Sequence, residues 1–472
     1  TESTEFCGLV HLTCSTCHLL HFPPAILLSL SPPIESLPGV LPVIRSVCIL
    51  ILGCLVLTVH PSTAAARRPG ACFVLQPALQ QQLHPPGNSP DHPSKETAQN
   101  LTGNFAGDQH STCFGTAASA TIDRVVLRRQ GDDNVHTYRI PGLTTSARGT
   151  LLAVFDLRHS DSADLPGNID VGLMRSTDDG RTWSPLQVIL NFDQAEADSA
   201  GNGVGDSAIL ADLRTGKLFV AALWSHGRRA WKESGPGLSP EETGQLVITT
   251  SDDDGLTWSA PINITAAVQG RSPQWRLFFN GPGRGIQLHD GSLVFTAQYR
   301  DTDGTPHACF IISRDAGVTW TVSAPAIPQQ PPTSESQIAE LPDGSLLLSM
   351  RDESHSGLRA WARYEWNADR SSGTWTKHWS TVPDPTCMAS LLSLPDGRLV
   401  FCNPNSPTNR VALTVRTSTD GGMTWNDGLL IDSRPSAYSC LTSLRDGRLG
   451  VIYETGDNSS NETLTFSSFA LP

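Results

Sequence analysis

Three arginines stand outside the regular patterning of this chain, and each sits at the edge of an apolar run. Arg139 lies in Tyr138-Arg139-Ile140-Pro141, Arg351 follows Leu346-Leu-Leu-Ser-Met350, and Arg410 follows Phe401-Cys-Asn-Pro-Asn-Ser-Pro-Thr-Asn409. A guanidinium is planar, always charged and able to grip both oxygens of a carboxylate, so three of them converging would form a clamp for an anionic ligand. Each alone reads equally well as a solvated surface arginine. The clamp requires a fold that brings together segments far apart in the chain.

Two interleaved repeats supply such a fold. Ser-x-Asp-x-Gly-x-Thr-Trp occurs four times: Ser176 to Trp183, Ser251 to Trp258, Ser313 to Trp320 and Ser418 to Trp425. Asn367-Ala-Asp369 through Trp375 is a degenerate copy. Ser and Asp can cap their own backbone, Gly supplies positive φ, and Trp would pin the turn to the body behind it. Out of phase with this phrase run six turns ending at Gly149, Gly216, Gly291, Gly344, Gly397 and Gly447, each followed by an apolar run. A turn ending in Gly between apolar stretches, four times as Asp-Gly, is a hairpin signal. Successive glycines lie 50–75 residues apart, which suits blades of four short strands. Residues 122–472 therefore read as one all-β domain, a six-bladed β-propeller, with a β-sandwich as the competing reading. Thr463 to Leu471 is expected to be a closing strand.

Composition agrees. The 472 residues hold 40 Gly and 34 Pro with only 17% charged residues, as a turn-rich β fold requires. A net charge of −13 with no basic stripe argues against a nucleic-acid partner. Cys309, Cys387, Cys402 and Cys440, of 11 cysteines, fall in the propeller without zinc spacing and read as buried thiols or one disulfide.

The front of the chain differs. Residues 1–66 form an N-terminal extension in which 43–66 have the layout of a signal peptide: Arg45, an apolar run, then Ala64-Ala65-Ala66. The run is short for a membrane span, although an N-terminal anchor is the alternative. A secreted, periplasmic or cell-surface protein is expected, with no stable membrane span after cleavage. Cys14-Ser-Thr-Cys17-His18 spells a haem-attachment motif but lies upstream of the export signal, so no haem is expected. Residues 67–121 are rich in Pro, Gln, His and Ser and read as a linker.

Arg139-Ile140-Pro141 together with the repeated Ser/Asp/Trp phrase resembles the exo-α-sialidases of glycoside hydrolase family 33, the bacterial and trypanosomal type, over residues 122–472. The phrase alone is less specific, since such boxes also occur in non-enzymatic propellers. The resemblance implies that Arg139, Arg351 and Arg410 are the arginine triad holding the sialic acid carboxylate. It implies Tyr438 as nucleophile, Glu335 as its base and Asp164 as acid/base, with Asp161 and Asp170 as alternatives to the last. Glu340, near Glu335, reads as structural. Arg158 matches a further substrate arginine, Asp206 a residue near the N-acyl pocket, and Gly281 to Gln287 part of the funnel wall. A tyrosine nucleophile is a known exception among glycosidases, and it suits a carbon that carries its own carboxylate, because a phenol approaches neutral. Burial of Asp164 is expected to raise its pKa toward the working pH. No metal or cofactor is required. The implied partners are sialylated glycans (glycoproteins, gangliosides and oligosaccharides), and a monomer is expected. Transfer to another acceptor, or within the substrate, is the first alternative, and a non-catalytic sialic-acid-binding propeller the second.

Overall fold

The computed structural model describes residues 121–192 and 202–471. The expectations for the signal peptide, the haem-like motif and the linker lie outside the described residues, save Thr121. Among the described residues the only helical elements are Thr265–Gln269 and a 3-10 turn at Asp132–Asn134, and no helix is long and apolar enough to cross a membrane.

The strands form sheets that follow one another along the chain, antiparallel except where Gly283–Arg284 pairs in parallel with Gly203–Ala211. The first contains Thr137–Thr145, Leu151–Arg158, Ile169–Ser176 and Gln187–Leu190 in that order. The second contains Gly203–Ala211, Leu218–Ser225, Gln245–Ser251 and Ile262–Asn263. In the third, Leu277–Asn280 and Ile286–Gln287 both pair with Leu293–Arg300, which continues to Pro306–Ser313 and Thr321–Val322. The fourth is Thr333–Glu340, Leu346–Asp352, Leu358–Trp366 and Gly373–Pro383. The last sheet has seven strands, from Ser390–Ser393 through Leu429–Ser443 to Thr463–Phe469 and Asp123–Arg129. Leu429–Ser443 is long because its first half pairs with Val411–Ser418 and its second half with Leu449–Thr455.

Innermost strands of successive sheets pack on one another, and Leu429–Ser443 packs back on Thr137–Thr145. Both faces of each sheet are therefore covered, which explains continuous apolar strands such as Leu151-Leu-Ala-Val-Phe155. The core lies between sheets: Val154 and Val171 of the first meet Val220 and Val247 of the second, and Leu143 and Phe155 meet Cys440 and Phe466 of the last. This is β-propeller architecture. Thr463–Phe469 does close the domain, pairing with Asp123–Arg129 from the start of the described chain.

Both repeats form the predicted turns. All six hairpin glycines have φ of 80–95°, between the first and second strands of their sheets. In the Ser/Asp/Trp phrase, Ser176 Oγ donates to Asp178 Oδ1 at 2.8 Å and accepts from the Gly180 N–H at 2.9 Å, while Thr182 donates to Asp178 through N–H (2.9 Å) and Oγ1 (2.6 Å). The tryptophan then wedges against the preceding sheet. Trp183 lies 5.3 Å from Phe466 edge-on, Trp425 stacks 5.2 Å from Trp361, and Trp375 of the degenerate copy donates to Ala324 O at 2.9 Å. Gly180 is required twice over, since its φ is +86° and a Cβ would lie 2.1 Å from Phe466.

Candidate active site

One local device, used four times, aims the polar side chains into the funnel. The first strand of four sheet units carries a bulge in which two residues oppose one on the next strand. The extra pairs are Ile140-Pro141, Asp206-Ser207, Ser334-Glu335 and Ala437-Tyr438. Bulges bend a strand and redirect a side chain. Here they place Asp206, Glu335 and Tyr438 directly and force the turn beside Arg139. Ile140 and Asp206 sit at φ 58° and 55°, positions that neither a β-branched residue nor most others adopt without support.

The second strand answers with a register position of its own. The residue seven after each hairpin glycine is Asp156, Leu223, Gln298, Arg351, Pro404 and Glu454 in turn. Arg351 faces the Ser334-Glu335 bulge and Glu454 faces the Ala437-Tyr438 bulge.

The three arginines converge around Tyr438. The Arg139 and Arg410 guanidinium carbons lie 5.3 and 5.7 Å from the centre of its ring. Arg351 Nη1 donates to the Tyr438 hydroxyl at 3.2 Å and to Glu335 Oε2 at 2.9 Å. The Tyr438 hydroxyl donates to Glu335 Oε1. Burial above all, and then the Glu335 charge, pushes the Tyr438 hydroxyl well above its usual pKa, against the pull of Arg351. The phenol is therefore neutral at rest. Arg410 keeps its guanidinium open, with one bond from Nη2 to Thr386 O at 3.2 Å.

Glu454 is a site residue that the sequence reading missed. It is fully buried and accepts from Arg139 Nε (3.1 Å) and Nη2 (3.3 Å), from the strained Ile140 N–H (2.9 Å) and from the Tyr438 N–H (3.3 Å). One carboxylate thus fixes the first arginine, its bulge and the tyrosine's backbone. The seven-residue offset it shares with Arg351 is the signal that could have found it.

On the other wall, Asp164 faces the cleft. Of its alternatives, Asp161 accepts from the Ala163 N–H in a local turn and Asp170 pairs with His159 Nε2 at 2.9 Å. Glu340 is held by the His289 N–H and Arg370, as befits a structural residue. Arg158 is buried and donates from Nη1 to Asp164 Oδ1 (2.7 Å) and Ser162 O (2.8 Å); Arg139 Nη1 is 3.5 Å from the same Asp164 oxygen. The expectation for the Asp164 pKa is corrected here. Its side chain is 76% exposed, and although desolvation works to raise its pKa, Arg158 and then Arg139 outweigh it, so the net shift is downward. The raised carboxyls are Asp206, lifted first by burial and then by the charges of Asp156, Asp164 and Glu335, and Asp156, which burial lifts to about 6 against the pull of Arg158.

Asp164, Asp206, Glu335, Arg351 and Tyr438 line a cleft of about 170 Å³ together with Leu223, Trp231 and Phe279. A larger cavity of about 560 Å³ is lined by Arg284, Ile286 and Gln287 of the expected funnel wall and by Glu340, Pro342 and Gly397, but by none of the candidate catalytic residues or triad arginines. The Gly281 to Gln287 segment crosses between sheets: Gly283–Arg284 pairs with Ala208 and Ile209, and Pro282 O accepts from Gln337 Nε2 at 2.8 Å. Gly142 has no room for a side chain, since a Cβ there would lie 2.3 Å from Gly283 O. The four propeller cysteines are buried free thiols, and burial pushes Cys387 up to about 12 and Cys440 to about 11.

Comparison with known proteins agrees with this arrangement. A sialidase of Bacteroides fragilis (strain YCH46) is 42% identical over 365 residues, which is 74% of this chain and 64% of that protein. A sialidase of Micromonospora viridifaciens is 35% identical over 350 residues, covering 71% and 52%. The chain thus spans between half and two thirds of the length of these relatives. Among solved structures, the Hadza microbial sialidase Hz136 matches with a TM-score of 0.68 at 42% identity, over 74% of this chain and 68% of that one. The intramolecular trans-sialidase from Ruminococcus gnavus, at 20% identity and a TM-score of 0.61, shares the fold. The BNR repeat-like domain matches residues 149–451. Its span covers the repeats and all the converging side chains except Arg139 and Glu454, and the chain belongs to that family, alongside the bacterial sialidases.

Proposed function

We propose that this protein is an exo-α-sialidase that removes terminal α-linked sialic acid from glycans with retention of configuration. The observation that carries this reading is the Tyr438 hydroxyl bonded to Glu335 between three arginines from separate sheets. The arginines take the substrate carboxylate, and the apolar side chains of Leu223, Trp231 and Phe279 in the cleft suit the substrate's acyl group. In the first step the Tyr438 oxygen bonds to the anomeric carbon and its proton passes to Glu335. The glycosidic C–O bond breaks, and the leaving oxygen takes a proton from Asp164. In the second step Asp164 takes a proton from water as the water oxygen replaces Tyr438, which recovers its proton from Glu335. The depressed Asp164 pKa belongs to the empty cleft. A substrate carboxylate docked on Arg139 offsets one of the two charges holding it down, and the sugar covers its exposed face, so its pKa rises in the complex.

Six blades are part of the proposal. Support comes from five inter-sheet apolar clusters and a sixth within the seven-stranded sheet, and from treating the two halves of Leu429–Ser443 as innermost and outermost strands of adjacent blades. Secretion rests on the layout of residues 43–66. The test is hydrolysis of a fluorogenic α-sialoside, followed by NMR of the first-formed sugar. Release of the α anomer supports the reading, no turnover rejects it, and the β anomer appearing first rejects the covalent route. Adding lactose shows whether an acceptor other than water captures the intermediate.

A further inference from the structure

Asp156 is a buried carboxylate that the proposed reaction does not use. It is 1% exposed and, like Arg351 and Glu454, lies seven residues after its hairpin glycine, although here Phe155 faces the bulge and Asp156 stands one residue beyond it. Those two each bind a residue of the candidate site. Asp156 Oδ2 accepts from Arg158 Nε (3.3 Å) and Nη2 (3.0 Å), and its Oδ1 accepts from the Asp206 N–H at 3.0 Å. It is also the cross-strand neighbour of Arg139. Arg158 turns its remaining nitrogen, Nη1, to Asp164 and to Ser162 O. The guanidinium is therefore a rigid spacer, with one edge fixed on Asp156 and its far nitrogen on Asp164. Gly205 keeps the approach open, since a Cβ there would meet the Asp156 carboxylate at 3.0–3.1 Å.

We propose that Asp156 is the positioning residue of the proton-transfer step, fixing Asp164 through Arg158 and fixing the strained Asp206 corner through its N–H. The proposal rests on Asp164 being the acid/base. Asp164 lies on an exposed stretch outside the strands, in Ser162-Ala-Asp164-Leu, and without Asp156 the arginine's remaining anchors would be Ser162 O and Asp164, both on that stretch. The reacting carboxyl would then be free to move relative to the leaving oxygen, and displacements of about 1 Å cost on the order of 10²-fold in rate.

The experiment compares two leaving groups. An aryl sialoside with an acidic phenol departs without a proton, whereas the sugar of sialyllactose needs one; kcat/KM reports only the steps through that departure and leaves out the water step that both share, so in kcat/KM only the second substrate reports on Asp164. Asp156→Asn is expected to lose on the order of 10²-fold in kcat/KM on sialyllactose, within the span of general acid catalysis, and about threefold or less in kcat/KM on the activated aryl sialoside. Asp156→Glu is expected to recover part of the sialyllactose rate. Arg158→Lys keeps the charge but not the fork; should Asp156→Asn fold poorly, it is expected to lose more in kcat/KM on sialyllactose than on the aryl sialoside, beyond the loss of substrate contact that both share. Equal losses on both substrates in the folded variants would overturn the proposal, since a purely structural residue acts on both alike. Asp164→Asn serves as the reference: if it shows no split, the reading of Asp164 itself falls, whatever Asp156 does.

Discussion

Replacing Glu454 by Gln is the sharpest perturbation available to this site, because it removes one charge and changes almost no volume. The carboxylate is fully buried and takes four hydrogen bonds, two from Arg139, one from Ile140 and one from Tyr438. Removing one partner from a buried pair costs about 3–5 kcal/mol, because the surviving charge is left without compensation. The amide also turns one oxygen into a donor, so at least one of the four donors then faces another donor. Ile140 adds a second consequence. Its left-handed φ of 58° is held in part by its bond to Glu454, and strain of this kind is worth roughly 1–3 kcal/mol. If the bulge relaxes, Arg139 moves with it, and the clamp loses its register with Arg351 and Arg410. Urea unfolding is therefore expected to show a loss of about 3 kcal/mol or more, and kcat/KM on a fluorogenic sialoside a fall on the order of 10²-fold. A loss under about 1 kcal/mol with kcat/KM within about threefold of the parent would refute both the charge argument and the assignment of Glu454 to the site.

Other outcomes follow from the same geometry. Tyr438→Phe is expected to abolish most turnover while sialoside binding persists in calorimetry, since the arginines are untouched; an unchanged kcat would remove Tyr438 from the reaction. The basic limb of kcat is expected at higher pH than that of kcat/KM, because the first reports the substrate complex and the second the free protein. The sign follows from Arg158 and Arg139 lowering the Asp164 pKa in the empty cleft; coincident limbs would reject it. Asp178→Ala removes the hub of one peripheral turn and is expected to cost about 1 kcal/mol with kcat/KM unchanged, so a loss of activity without a loss of stability would contradict its placement. The same turns set acid stability. Hydrogen bonds from Thr182 first, then from Ser176 and the backbone, hold Asp178 at about 2. Its contribution is present above the unfolded pKa near 3.8 and is lost as pH falls toward about 2, a decline visible in melting temperature and discounted for the turn's solvent exposure.

The fold was legible because its signals are local. A φ of 80° at Gly344 follows from Leu-Pro-Asp-Gly alone, and the wedge at Trp183 from the phrase that ends in it. Arg139, Arg351, Arg410, Glu335 and Tyr438 were legible through motifs, and they do converge. Two things were not. Glu454 looked like the polar end of an ordinary strand, since its partners Arg139 and Ile140 lie some three hundred residues earlier. The direction of the Asp164 shift was invisible for a similar reason. The segment shows a carboxylate and suggests burial, but the balance belongs to Arg158, held from behind by Asp156, and to Arg139 on another strand.

The pairing of Asp123–Arg129 with Thr463–Phe469 bears on when in its synthesis the protein can act. Arg139 is among the first of these residues to leave the ribosome, while Tyr438 and Glu454 are among the last. Until Glu454 emerges the first arginine lacks its buried counter-charge, and until Thr463–Phe469 follows, the strand beside it has an open edge. A growing chain would hold folded sheets and Asp164 but no nucleophile and no finished clamp. Synthesis through Thr463–Phe469 is thus a precondition for the first turnover, and a product lacking only Thr463–Phe469 would be expected to carry every candidate side chain and still lack a stable site.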